Sequence, residues 1–334
     1  TIAAAKAKGL HVILYMTDDP QWHDQGGFEQ LDSAAYSAFK GKEVDLHTRD
    51  GFGEFAFDNF VEVMDNYPDL DGFWIDNDNA NGLYELIRSK RPEMLLSNNN
   101  EDTSIMDTVS NEQKTGMTPS YDYPSAVWTP MPRIVEADYK LPSKGNWWYD
   151  GNDSDVDTAL SVGRFITNVG SSIRSLMAET AQINGKFPSK QEAFNNFMAD
   201  YLPPIWESIA DTEGGGYMFG GMQPGAWRDG AFGVITVSNS DPSLQYIHVT
   251  TRPTTDTLSL RDNGYRIRRV SDLRTGERLS FTQADGWVSI TGITQWDEFD
   301  TVLKVTTGAR EGFYPQASIS STASAGADGH GGEN

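Results

Sequence analysis

The chain has 334 residues, with 26 Lys+Arg against 48 Asp+Glu and a formal net charge of -22 at pH 7, so it lacks the basic face that sequence-independent nucleic-acid binding needs. A hydrophobic fraction of 38% and an aromatic fraction of 11% supply enough apolar surface for a large core plus a small second domain, and exclude wholesale disorder. The absence of Cys removes disulfides, thiolate metal sites and a cysteine nucleophile together, and no apolar run approaches the roughly 18 residues of a membrane span.

The opening TIAAAKAK reads as the end of an Ala-rich helix that Gly9 closes as a C-terminal cap. Residues 10–16 form a buried strand directly after it. No signal peptide is visible, and a start inside a helix leads to the expectation that sequence upstream is missing. The turn at 48–53 leads into a helix whose Phe57, Phe60, Val61 and Met64 fall at i, i+3, i+4 and i+7. Residues 71–76 follow as a strand, Leu83, Leu86 and Ile87 give the next helix its apolar side, Arg91-Pro92 stops it, and 94–97 is again a strand. Residues 101–150 are polar and aromatic, as expected of long active-site loops. A helix over 155–169 and a strand over 173–178 come next. Ser189-Lys190-Gln191-Glu192 reads as a capping box opening a helix with Phe194, Phe197, Met198 and Tyr201 on one face, which Pro203-Pro204 interrupts.

Alternating strands and amphipathic helices predict an α/β domain over residues 1–213, with a parallel sheet and helices outside it. Residues 214–230 are a Gly-rich connector. Beyond them the period becomes two, with short strands at 231–237, 245–250, 257–260, 265–272, 279–281, 287–291 and 302–306, which predicts an antiparallel β-sandwich over 231–310. Residues 311–334 read as a disordered tail.

The sharpest chemical feature is Phe73-Trp74-Ile75-Asp76. A carboxylate at the C-terminal end of an apolar parallel strand stands where α/β barrels place their active sites; the plainer reading is an Asp that caps the next helix. The run from Asp76 to Gly82 fits a calcium loop poorly, because Ala80 and Asn81 stand where the loop needs Asp or Asn and then Gly. Tyr15, Trp22 and His23 follow the first strand, and Trp147, Trp148 and Tyr149 sit in the loop region. Aromatic faces stack on sugar rings, and nine Trp in one acidic chain favour a carbohydrate ligand, although a Trp packed under a loop is the bland alternative. Glycoside hydrolysis needs a second carboxyl group. Glu136, in a short segment of the loop region, is the first candidate, with Glu101, Glu112 and Glu179 as rivals and a solvated surface Glu as the alternative for each. The five His show no metal-binding spacing, and neither a phosphate-binding glycine loop nor a Gly-x-Ser-x-Gly elbow is present.

The order of these motifs resembles the α-L-fucosidase family of retaining glycoside hydrolases (family 29). Residues 9–15 with Trp22-His23 are similar to that family's barrel strand and Trp-bearing loop, Asp71-Gly72-Phe73-Trp74-Ile75-Asp76 to its Trp-x-Asp strand, and Trp147-Trp148-Tyr149 to its Trp-Gly-Tyr element. The chain departs from the pattern at Asn77, where Gly is usual, and at Ala178-Glu179; the family's first barrel strands would lie upstream. The resemblance implies a (β/α) TIM-type barrel, partial in this chain, followed by the β-sandwich. It also implies a covalent glycosyl-enzyme on Asp76 as nucleophile and Glu136 as general acid/base, with Tyr15, Trp22, His23, Trp74 and Trp148 shaping the sugar pocket. No metal or organic cofactor is required. The expected partner is a glycan or glycoside, in a secreted or extracellular setting, with neither nucleic acid nor membrane and with a possible association with a missing N-terminal segment. Barrel glycosidases of α-glucosidase-like or α-galactosidase-like specificity keep the same features, as does a non-catalytic carbohydrate-binding protein on a decayed barrel.

Overall fold

A computed structural model of the chain describes residues 1–17, 31–76, 82–99, 104–112, 134–142, 144, 146–214, 233–262 and 264–310. It divides into two compact units, one of residues 1–110 and 131–134, the other of 111–130 and 135–334.

The first unit opens with helix α1 (Ile2–Lys6). Gly9 takes φ +74, which lets Gly9 N–H donate to Lys6 O at 2.9 Å and Leu10 N–H to Ala5 O at 3.1 Å, the paired bonds of a Schellman cap. Four strands follow: β1 (Ile13–Thr17), β2 (Gly72–Asp76), β3 (Leu95–Asn99) and β4 (Thr108–Glu112). They pair in parallel in that order, with Ile13 opposite Gly72, Phe73 opposite Leu96 and Ser97 opposite Thr108. Helix α2 (Ser33–Lys40), which sequence periodicity did not single out, is capped by Asp32, whose side chain accepts from Ala35 N–H. Helix α3 (Arg49–Asn66) starts on Thr48, whose hydroxyl accepts from Gly51 N–H. Helix α4 (Leu83–Lys90) joins β2 to β3.

The helical and strand periods meet in one core. Phe60 and Met64 of α3, Leu83 and Ile87 of α4, and Phe73, Ile75 and Leu96 of the strands are buried together. Asp71 locks the approach to β2, its carboxylate accepting from Lys6 Nζ at 2.6 Å and from Val12 N–H at 2.6 Å. The Lys6 ammonium, followed by the Val12 N–H, holds that carboxyl well below the usual carboxylate range. Gly72 is required by close approach, since a Cβ there would lie 2.2 Å from Leu95 O.

All but the first residue of β5 (Ile134–Lys140) belongs to the second unit, with helix α5 (Thr158–Gly170) and β6 (Ile173–Ala178) after it, and β5 and β6 are parallel. The region 101–150 therefore holds two strands, β4 and β5, where polar composition predicted loop. Their apolar residues alternate with polar ones too sparsely to stand out. Helix α6 (Ser189–Tyr201) does not start on a capping box. Ser189 is its first helical residue and no side-chain cap bond comes from within the motif. Asp153 supplies the cap instead, accepting from the Ser189 hydroxyl and from Lys190 N–H. A 3-10 helix (Pro203–Ser208) follows at the proline pair.

The remaining strands are β7 (Thr212–Gly214), β8 (Gly233–Ser238), β9 (Leu244–Val249), β10 (Thr257–Arg261), β11 (Tyr265–Asp272), β12 (Arg278–Ala284), β13 (Trp287–Thr291) and β14 (Thr301–Arg310). They form one antiparallel sheet in the order β10-β13-β12-β11-β14-β9-β8-β7. It is curled, because Leu258 and Leu260 at one end share a core with Ile235 and Ile247 near the other. Strand β12 turns the corner. Its first residues, Arg278 and Leu279, pair with β11, and Ser280 through Ala284 pair with β13. The two layers expected of a sandwich are thus parts of one continuous sheet.

Candidate active site

Strand alternation separates the first unit's sheet into two chemical faces. Phe73, Ile75 and Leu96 pack on the helices. The side chains between them belong to the other face: Tyr15 and Thr17 of β1, Trp74 and Asp76 of β2, Ser97 and Asn99 of β3, Thr108 and Ser110 of β4. Register brings them into rows, with Tyr15 beside Trp74, Thr17 beside Asp76, and Asn99 beside Ser110. A parallel sheet covered on both faces reads as continuous apolar residues. Here one face is aromatic and hydroxyl-rich, and Ser97, Asn99, Thr108 and Ser110 are buried in it.

Asp76 is the last residue of β2, the strand end at which α/β proteins bind ligands. Two side chains orient its carboxylate: the Tyr15 hydroxyl donates to Oδ2 at 2.5 Å and Asn99 Nδ2 donates to Oδ1 at 3.3 Å. Thr17 Oγ1 donates to the Asp76 carbonyl at 3.2 Å. The Tyr15 ring stacks on Trp74 with centroids 5.5 Å apart and planes 23° apart, and Tyr15 is 42% exposed. Asp76 is therefore no helix cap: Gly82 occupies the N-cap of α4 without a side-chain bond. A carboxylate held by two donors beside an open aromatic pair can attack or hydrogen-bond a ring placed against those aromatics. Asn99 and Thr17 escaped the sequence reading. The signal for Asn99 is a polar run, Ser97-Asn98-Asn99, after the apolar start of β3. Asn98 faces the helices, where its amide donates to the Tyr84 hydroxyl.

The second unit carries the other candidates. Glu136 is the third of seven residues of β5, not part of a loop, and it registers with Arg174. It shares a face with Asp138, which is buried, and with Lys140. The opposite face meets α5, where the Arg164 guanidinium lies 5.3 Å from the Tyr139 ring centre and burial pushes the Tyr139 phenol up. Glu179 directly follows the C-terminal end of β6, and its Oε2 accepts from Asn195 Nδ2 at 3.0 Å. Trp148 is 64% exposed, and Trp147 lies 5.9 Å from Lys140 Nζ. Trp22, His23, Glu101 and the calcium-like run 77–81 lie outside the described residues, and Glu112 ends β4. Among the described residues no group of three or more His, Asp or Glu is placed to hold a metal ion, and no helix is long and apolar enough to cross a membrane.

No protein-family model matches the chain, and no curated protein matches it in sequence. Solved structures do. A bacterial fucosidase with a phenyltriazole pyrrolidine inhibitor matches with a TM-score of 0.64 at 15% identity, covering 94% of this chain and 71% of that one. An α-L-fucosidase of family GH29 from Bacteroides thetaiotaomicron gives 0.62 at 15% identity over 94% and 71% of the two chains. Thermotoga maritima α-fucosidase gives 0.58 at 15% identity over 91% and 67%. The fold defined by the parallel strands and the curled sheet is that of these glycoside hydrolases. At the level of the fold, this chain resembles the GH29 α-L-fucosidases.

Proposed function

We propose that the protein is a retaining exo-glycoside hydrolase acting on α-L-fucosides, and that residues 1–213 contribute to a (β/α) barrel completed by further strands. The observation that carries this reading is Asp76 at the end of β2, its two oxygens held by Tyr15 and Asn99, in a fold shared with fucosidases over nine-tenths of the chain. An Asp76 oxygen attacks the anomeric carbon as the glycosidic bond breaks, giving a glycosyl ester. A general acid protonates the leaving oxygen, then takes a proton from the water that cleaves the ester. Tyr15 and Trp74 supply the aromatic surface for the sugar, with Trp22, His23 and Trp148 as further lining residues.

Glu136 is the acid/base that the family resemblance implies. Glu179 is the second reading, favoured by its place just past a strand's C-terminal end. A Glu→Ala variant of the true acid/base keeps hydrolysing aryl fucosides with good leaving groups, loses poor ones, and is rescued by azide. Running Glu136→Ala and Glu179→Ala side by side assigns the role to whichever shows that pattern. The hydrolase reading itself rests on Asp76→Asn: turnover of an aryl α-L-fucoside within a few-fold of the parent rejects it. Turnover of an aryl α-glucoside or α-galactoside in its place keeps the mechanism and changes the sugar.

A further inference from the structure

A second feature of the molecule has the makings of a ligand site and belongs wholly to the second unit. A cavity of about 670 Å³ is walled by the end of α5, the start of β6, the turn after the 3-10 helix and the end of β8, within the range of small-molecule sites. Trp206 lines it while remaining 51% exposed. Trp206 also lines a second, shallower and mostly apolar depression with Met198, Leu202 and Pro203, so the residue borders both. An indole exposed at a concave site offers a ligand both an apolar ring face and an N–H donor.

Besides three hydroxyl residues, four charged or amide residues line the first cavity with Trp206: Arg174, Asp211, Glu213 and Asn239. All four are exposed, and among the described residues no ion pair or side-chain hydrogen bond engages any of them. Their chemistry is mixed. One guanidinium donates, two carboxylates accept, and one amide does both. One positive charge against two negative ones gives an anion no net attraction. A neutral ring bearing several hydroxyls matches the set, because each hydroxyl both donates and accepts while the apolar ring face covers the indole. The backbone here is also costly. Ser172 at φ 57 and Asp211 at φ 53 are two of the three non-glycine residues in the left-handed region among the described residues, and both line this cavity. Such strain persists where surrounding structure fixes it and clusters at ligand sites. Asn239 N–H donates to Asp211 O at 2.9 Å, and Ser172 Oγ accepts from Gly214 N–H at 2.8 Å, which hold the two turns in place.

The geometry points to an accessory saccharide-binding site at Trp206, for a neutral mono- or oligosaccharide, with Arg174, Asp211, Glu213 and Asn239 as its hydrogen-bonding rim. It would retain a glycan on the protein without taking part in bond cleavage, and it stands whether or not Asp76 is a nucleophile.

The test uses the full chain carrying Asp76→Asn, so that no sugar is consumed, titrated by saturation-transfer NMR with L-fucose, D-galactose, N-acetyl-D-glucosamine, lactose and 2′-fucosyllactose. The expected result is that at least one of them binds in a way that weakens tenfold or more on adding Trp206→Ala, and less on adding Trp206→Phe, with the thermal midpoint unchanged. Glu213→Gln with Asn239→Ala should weaken the same sugar and no other. Isotherms identical with and without Trp206→Ala for every sugar, or no binding at millimolar concentration, overturn the proposal. Trp206→Ala in the otherwise native chain should leave aryl α-L-fucoside turnover unchanged. A parent without that turnover removes the fucosidase reading but not this one, which the Trp206-dependent binding decides alone.

Discussion

The parallel sheet of the first unit and the curled antiparallel sheet of the second treat buried polar groups in opposite ways. In the first, polar side chains line up along one face and end on Asp76, where Tyr15 and Asn99 aim the carboxylate. In the second, the buried core is Val, Ile and Leu with Phe281 and Trp296 packed against it, and the notable polar contact is a closed one. His248 and Asp300 are fully buried and meet at 2.7 Å, with Thr236 and Ser208 O each 3.4 Å from the other imidazole nitrogen. A carboxylate held beside open aromatic surface can serve a ligand. One sealed against a histidine ties the 3-10 helix to the sheet and serves the fold. Burial alone does not mark function; what the group can still reach does.

This contrast predicts that substitutions on the first face cost turnover while those at the sealed pair cost stability. The largest effect should be Asp76→Asn, which lowers aryl fucoside turnover by about 10⁴-fold with little change in the thermal midpoint; steady-state rates and a melt measured together check it. Asp300→Ala leaves His248 buried without its partner and should lower unfolding free energy by roughly 3–5 kcal/mol, read from a urea titration, with the folded fraction keeping its specific activity. If instead turnover falls and stability holds, the division between the two regions is wrong. Tyr15→Phe removes one donor to a charged acceptor, worth roughly 1.5–3 kcal/mol, and should therefore lower kcat about 10- to 100-fold while the Trp74 stack keeps KM nearly constant.

The smallest effect concerns Asp71. Its folded pKa is depressed, so its contribution is complete above the unfolded carboxylate value of about 4 and is lost as pH falls through the folded value. Asp71→Asn should destabilise by roughly 1–2 kcal/mol at pH 7. The gap between variant and parent should close as the pH is lowered below about 4. A gap that widens in acid would mean that Asp71 contributes through packing rather than charge.

Much of this was legible in the residues. Phe57, Phe60, Val61 and Met64 placed α3, and the period-two segments beyond residue 231 placed nearly every strand of the curled sheet. Gly9 marked the end of α1, and the apolar Phe73-Trp74-Ile75 before Asp76 marked the strand end that the structure assigns it. These features are local: helix period, strand alternation and cap chemistry act within one turn or one strand. The capping box failed because the competing acceptor, Asp153, lies 36 residues away from Ser189. Strands β4 and β5 were hidden because polar residues, Ser110, Asn111 and Glu112 in one and Glu136, Asp138 and Lys140 in the other, interrupt their apolar character.

The residues alone were enough to fix most of the helices and strands, though not α2, β4 or β5, together with the position of Asp76 at the end of β2 and the aromatic, acidic character of its surroundings. Tertiary structure alone decided which donors meet Asp76, that β12 joins two layers into one sheet, that His248 faces Asp300, and that Arg174, Trp206, Asp211 and Asn239 share a cavity. Tyr15 and Asn99 are distant from Asp76 along the chain, as are His248 from Asp300 and Arg174 and Asn239 from Trp206, and only register and packing bring them together. Side-chain type fixes what a group can do; its neighbours in space fix whether it does it.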